Sequence, residues 1–245
     1  MKTYKLFLPV VMLFMTFLSS SCIFDMNVIT GKGNIITETR SSKDFTAIDL
    51  QTGANVEIVK GNTFKVSVSD YENLVKYTVV EVVDNHLIIK RKPNSVHFWN
   101  SKTKVVVTMP DPLYSLQLSG SGNLNVLSAF NDLQSLVLSG SGNVELHSDC
   151  QLNKLEANII GSGNINAIGN FTVQDLSTRI SGSGNIHLSQ MKAKKADCSI
   201  SGSGKMYVLI EDNLEAYISG SGSIIYSGSP IVNKHISGSG NVYRN

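Results

Sequence analysis

The sequence predicts an all-β chain. It folds as a parallel, right-handed β-helix (a solenoid of short repeats) closed at one end by an N-terminal β-meander cap. Three observations predict this. The turn Ser-Gly-Ser-Gly-Asn, or a near copy, recurs with its first glycine at Gly120, Gly140, Gly161, Gly182, Gly202, Gly220 and Gly238, at steps of 20, 21, 21, 20, 18 and 18 residues. Self-similarity at such a period marks stacked-repeat architectures. Apolar and polar residues alternate on both sides of each turn, which is the period of a half-buried strand. Val, Ile and Leu carry the apolar content beside abundant Gly and Ser and few aromatics, a balance suited to strands joined by tight turns.

From the N-terminus, residues 1–21 read as an export signal. Lys2 and Lys5 precede an apolar run of 13 residues, Leu6 to Leu18, short of the ~20 needed to span a bilayer. Ser19, Ser20 and Ser21 then lead to Cys22, which sits where cleavage is expected and reads as the lipidated N-terminus of a lipoprotein. Ile23 follows, with no aspartate of the inner-membrane retention type, so the outer membrane is the expected location. Residues 22–30 form a lipidated linker. The signal holds two of the 21 basic residues and no acid, so the remainder carries 19 of each sign. A neutral chain has no electrostatic footprint for nucleic acid.

Residues 31–112 form an N-terminal β-rich region. Strands are predicted at Phe45–Leu50, Val56–Val59, Phe64–Val68, Thr78–Val83, Leu87–Lys90 and Lys104–Met109, with a hairpin turn at Asp84-Asn85. Gly31-Lys32-Gly33-Asn34-Ile35 and Thr52-Gly53-Ala54-Asn55-Val56 look like worn copies of the repeated corner. Lys92-Pro93-Asn94-Ser95 opens a longer loop. This region caps the solenoid, whose open terminal rung would otherwise be an adhesive strand edge.

Residues 113–245 form the repeat body. Each repeat is a strand, a Gly-rich corner, a second strand and a variable loop. Stacking explains better than an array of hairpins why the same apolar position recurs, since one short unit cannot bury its face alone. Glycine admits the positive φ of a sharp bend. Asn123, Asn143, Asn164, Asn185 and Asn241 share one position, so their amides could form a ladder, interrupted at Lys205 and Ser223. Cys150 and Cys198 occupy different positions in the repeat and are expected as buried free thiols.

Few residues carry chemistry. A phosphate loop needs a helix after its glycines, and here a strand follows each one. Calcium prefers several carboxylates, and these turns carry Ser and Asn, so no metal and no cofactor is expected. A pectinase-like polysaccharide-active site needs clustered carboxylates. Glu211-Asp212 and the Lys192, Lys194 and Lys195 loop could meet on a solenoid flank, and read most simply as a solvated surface pair. His147, His187 and His235 hold three different repeat positions, so they form no single site. The segment Val96-His97-Phe98-Trp99-Asn100 contains the only tryptophan. It is the candidate binding site, with His97, Phe98 and Trp99 as a loop that stacks on a sugar ring or anchors a protein. The plainer reading is that Phe98 and Trp99 fold back over the open end of the core. No catalytic residue is assigned.

Gly31-Lys32-Gly33-Asn34-Ile35-Ile36-Thr37-Glu38-Thr39-Arg40, Asp44-Phe45-Thr46-Ala47-Ile48-Asp49-Leu50 and the repeated turns together resemble the head GIN domain of auto-transporter adhesins. The resemblance covers nearly all of the chain after the signal. It implies a β-helix-like fold and a cell-surface binding or adhesion role in exported lipoproteins of Bacteroidetes, with no defined biochemical activity. The expected protein is therefore a lipoprotein acting as a non-catalytic envelope binding module. Its expected partners are a glycan or surface protein, and the membrane through Cys22. The alternatives are a polysaccharide-active β-helix enzyme and a purely structural envelope protein.

Overall fold

A computed structural model describes residues 27–245. The N-terminal region holds β1 (Asn27–Thr30), β2 (Ile35–Arg40), β3 (Ala47–Gln51), β4 (Asn55–Lys60), β5 (Lys65–Tyr71), β6 (Thr78–Val83), β7 (His86–Arg91), β8 (Val96–Trp99) and β9 (Lys104–Met109). The repeats follow as β10 (Ser115–Gly120), β11 (Asn123–Val126), β12 (Ser135–Gly140), β13 (Asn143–Leu146), β14 (Cys150–Gly161) and β15 (Asn164–Ala167). They continue through β16 (Phe171–Gly182), β17 (Asn185–Gly202), β18 (Lys205–Gly220), β19 (Ser223–Gly228), β20 (Ile231–Gly238) and β21 (Asn241–Arg244).

The repeats stack as a parallel β-solenoid. Before the corner, Leu118, Leu138, Ile159, Ile180, Ile200, Ile218 and Ile236 pair rung to rung. After it, Leu124, Val144, Ile165, Ile186, Met206, Ile224 and Val242 do the same. Nearly all of these side chains are buried in one continuous core, Ile236 of the last rung being the exception. Burying each aliphatic side chain contributes about 1.5–3 kcal/mol, so the recurrence of the apolar position is what holds the stack.

Two glycines show why the corner composition is fixed. Gly140 adopts φ 143°, and a Cβ there would lie 2.4 Å from the carbonyl oxygen of Gly120. At Gly142 the added Cβ would meet Gly122 O at 2.1 Å. The corners therefore stack carbonyl over backbone, with room only for hydrogen. In return Gly120 O accepts hydrogen bonds from both Ser141 N and Gly142 N, each at 3.2 Å.

A third side of the solenoid forms from Cys150 onward, where Leu152, Val173 and Ala193 pair across successive rungs. The shorter period at the end of the chain has its origin here. Between β17 and β18 the register jumps from Leu188↔Val208 to Lys192↔Leu209, which drops three residues. It then moves from Ala193↔Ile210 to Lys195↔Asn213, which restores one.

The expected N-terminal cap is present, and its strands are interleaved. β3 and β4 pair in parallel with β10 and β11, placing Leu50 under Leu118 and Asn55 under Asn123. Gln51 to Asn55 is thus a true corner of the stack. β7 and β9 lie in parallel beneath β3 and β4. Antiparallel partners then end the stack, with β6 on β7, β5 on β9 and β2 on β5. Asp84 and Asn85, at φ 49° and 64°, make the predicted hairpin turn, the positive-φ geometry that two-residue hairpins favour. The Gly31 to Asn34 segment departs from expectation. It links β1 to β2, which runs antiparallel to β5, so it is no stacked corner. Cys150 and Cys198 are buried free thiols, and burial pushes the Cys198 pKa up to about 12.

Candidate binding groove

The segment expected as an aromatic loop is a strand. Val96 to Trp99 forms β8, which pairs in parallel with β1 as a two-stranded ribbon apart from the solenoid sheet. Strand alternation therefore decides where its side chains go. Val96 and Phe98 face the body and are half-buried, while His97 and Trp99 are exposed.

A buried ionic clamp holds the ribbon. In β5 the inward positions are Val66, Val68 and Asp70, all buried. The Asp70 carboxylate accepts from Arg91 Nη2 at 2.5 Å, Ser101 Oγ at 2.8 Å and Thr103 Oγ1 at 2.6 Å. It also accepts the backbone N–H of Lys102 and of Tyr71, each at 2.9 Å. Burial alone would raise its pKa; the donors from Thr103, Lys102, Ser101 and Tyr71 outweigh that and hold it below the usual carboxylate range. Burial pushes the Arg91 guanidinium down and Asp70 opposes the shift; an arginine remains charged under physiological conditions. Its carbon lies 4.3 Å from the Phe98 ring centroid, and Tyr77 packs on the same ring at 5.2 Å. A desolvated cation over an aromatic face is worth about 2 kcal/mol. One cluster thus fixes β7, β8 and the Ser101 to Thr103 segment together.

Between the ribbon and the first corner lies an open groove of about 880 Å³. Its floor and walls include Gln51, Thr52 and Asn55 from the corner, Ser121 from the next rung, and Asn94, His97, Phe98, Asn100 and Lys102 from around the ribbon. Arg91 and Thr103 of the clamp also reach it. The lining is rich in amides and hydroxyls, and no aspartate or glutamate contributes to it.

Of the residues singled out by the sequence, His97 and Phe98 border this groove. Trp99 does not line it, and is 70% exposed. Cys22 lies outside the described residues. Lys192 and Glu211 do meet on the solenoid flank, as an exposed ion pair at 2.9 Å. The three histidines stand apart: His187 stacks on Tyr207 at 4.8 Å, His235 on Tyr217 at 4.7 Å, and His147 sits 3.2 Å from Glu145. Sequence reasoning does not single out Asp70, Arg91 and Thr103. The signal it offers is a carboxylate at an inward position of the alternating run Val66, Val68, Asp70.

The architecture is shared with solved structures. The chain resembles a putative adhesin from Bacteroides fragilis NCTC 9343, with a TM-score of 0.80 at 24% identity, over 89% of this chain and 100% of that one. It also resembles a putative lipid binding protein from Parabacteroides distasonis ATCC 8503, with a TM-score of 0.73 at 28% identity and the same coverage, 89% and 100%. A putative adhesin from Parabacteroides merdae ATCC 43184 superposes with a TM-score of 0.72 at 24% identity, over 89% and 99% of the two chains. Comparison with curated proteins gives no match. Residues 44–230, which include the first corner, the clamp and most of the repeats, match the family model described as "Putative auto-transporter adhesin, head GIN domain", and the chain belongs to that family.

Proposed function

We propose that the protein is an exported lipoprotein, acylated at Cys22 and held in the outer membrane, that binds glycan without cleaving it. Its membership of an adhesin family supports a role at the cell envelope. No helix among the described residues is long and apolar enough to cross a membrane, and the lipid at Cys22 supplies the attachment. The observation that carries the binding assignment is the lining of the groove. Gln51, Asn55, Asn94 and Asn100 present amides, Thr52 and Ser121 hydroxyls, and Phe98 an apolar surface. Sugars offer alternating hydroxyls and C–H faces, which such a mixed surface matches. Glycoside hydrolysis needs a pair of carboxyl groups, and this lining contributes none.

A glycan array with the purified protein tests the proposal. His97→Ala and Phe98→Ala are expected to weaken binding about tenfold each, the loss of a contact worth ~1.4 kcal/mol. Trp99→Ala should leave affinity unchanged, because Trp99 is outside the groove. Time-dependent release of shorter sugars would instead favour the polysaccharide-active alternative. Full binding by both groove variants would remove the groove from consideration.

A further inference from the structure

The ribbon has a second face, which the groove reaches only at His97. The pairings Val28↔His97 and Thr30↔Trp99 set these four side chains on its outer side, opposite Ile29 and Phe98. Val28 is 54% exposed and Trp99 70%. Trp99 joins none of the ring stacks or cation–π contacts among the described residues. An unpaired indole beside an aliphatic side chain is costly to hydrate. Tryptophan is favoured where an apolar body meets a polar boundary, as at the headgroup level of a bilayer.

Chain length says what covers this face. Asn27 opens β1 five residues after Cys22, and five residues span at most about 18 Å. A lipid on Cys22 fixes that residue at the membrane surface, so Asn27 and Val96 beside it cannot leave it by more than that distance, and Thr30 and Trp99, at the other end of the ribbon, by more than about 28 Å. The last rung is differently placed. From β4 the stack passes through β11, β13, β15, β17, β18 and β19 to β21, roughly 34 Å at the strand spacing of about 4.8 Å.

We propose that the outer face of the β1–β8 ribbon, centred on Trp99 and Val28, seats on the lipid bilayer that carries the Cys22 anchor. The ribbon then orients the protein on the membrane, while its inner face builds the groove. This rests on the lipoprotein reading, and the experiment separates the two. The full-length protein is reconstituted in vesicles of phosphatidylethanolamine and phosphatidylglycerol, with or without acyl chains brominated near the headgroup. Trp99 is the only tryptophan, so all tryptophan emission reports this face. Bromine is expected to cause a roughly twofold loss of emission, with a blue shift, as for an indole at the interface. Val28→Asp, which keeps the reporter, should return both readings toward those of an indole in water.

Water-like, unquenched emission from protein whose Cys22 is acylated by mass spectrometry overturns the seating and leaves the lipoprotein reading intact. An unacylated Cys22 overturns both. Shielding of Trp99 that grows with protein density and is insensitive to bromine assigns the face to contact between copies, and also overturns the proposal.

Discussion

Gly142 shows how little room one rung leaves for the next. Its φ lies outside the left-handed region. What excludes a side chain is space: a Cβ added there would lie 2.1 Å from Gly122 O and 2.8 Å from Leu118 Cδ2. The leucine tip can move, whereas the carbonyl belongs to a hydrogen-bonded corner and cannot. Gly142→Ala is therefore expected to destabilise the protein by ~2–4 kcal/mol, the range of a substitution that forces backbone apart. Urea denaturation followed by circular dichroism measures it. A loss below about 0.5 kcal/mol, typical of an exposed site, would show that the corners do not depend on close stacking. The sequence points to glycine for a bend, and Gly140 does need its positive φ. The stronger constraint at Gly142 comes from the adjacent rung, which no single repeat reveals.

The asparagine ladder works at the scale of the element. Asn123 donates to Asn55 at 2.7 Å, Asn143 to Asn123 at 2.9 Å, Asn164 to Asn143 at 2.9 Å and Asn185 to Asn164 at 3.0 Å. The run stops at Lys205, where Asn185 Oδ1 accepts the backbone N–H instead. Asn143→Ala leaves both Asn123 Oδ1 and Asn164 Nδ2 without their partners, and should cost about 1–2 kcal/mol at the usual worth of a hydrogen bond. Asn241→Ala, beyond the break, serves as the control and should fall within about 0.5 kcal/mol of the parent protein. Equal losses at both sites would argue against the ladder. Its members from Asn123 to Asn185 and its break are legible in the sequence, because side chains at one repeat position must stack once the strands are parallel; its start at Asn55 is not, because only the fold places that worn corner under the first repeat. So are the hairpin at Asp84-Asn85 and the strands before and after each corner. The ribbon is hidden. Its partner β1 lies far upstream, and the Pro93-Asn94 turn signal makes Val96 to Trp99 look like loop. The groove is half legible for the same reason. His97 and Phe98 can be picked out by composition, but only strand alternation separates Phe98 from Trp99, and only the fold brings Asn55 and Arg91 beside them.

At the scale of the molecule, the two ends of the stack are closed differently. Antiparallel strands finish the N-terminal end. At the other end β20 and β21 present an edge on which Ile231 is 71% and Ile236 42% exposed. Such an edge is a template for pairing with another chain. Lys234 opposes it. It continues the inward column of Leu116, Leu136, Ala157, Thr178, Cys198 and Ala216. Its Nζ donates to Val242 O at 2.6 Å, across the end of the core. A charge at an inward position makes burial of this rung under a second chain unfavourable, since the ammonium would lose its water. Lys234→Leu restores an apolar column and removes that penalty. The variant is expected to associate more than the parent protein at equal concentration, as read by light scattering after gel filtration. An unchanged mass distribution would mean that the backbone edge, and not the lysine, sets how the last rung meets its neighbours.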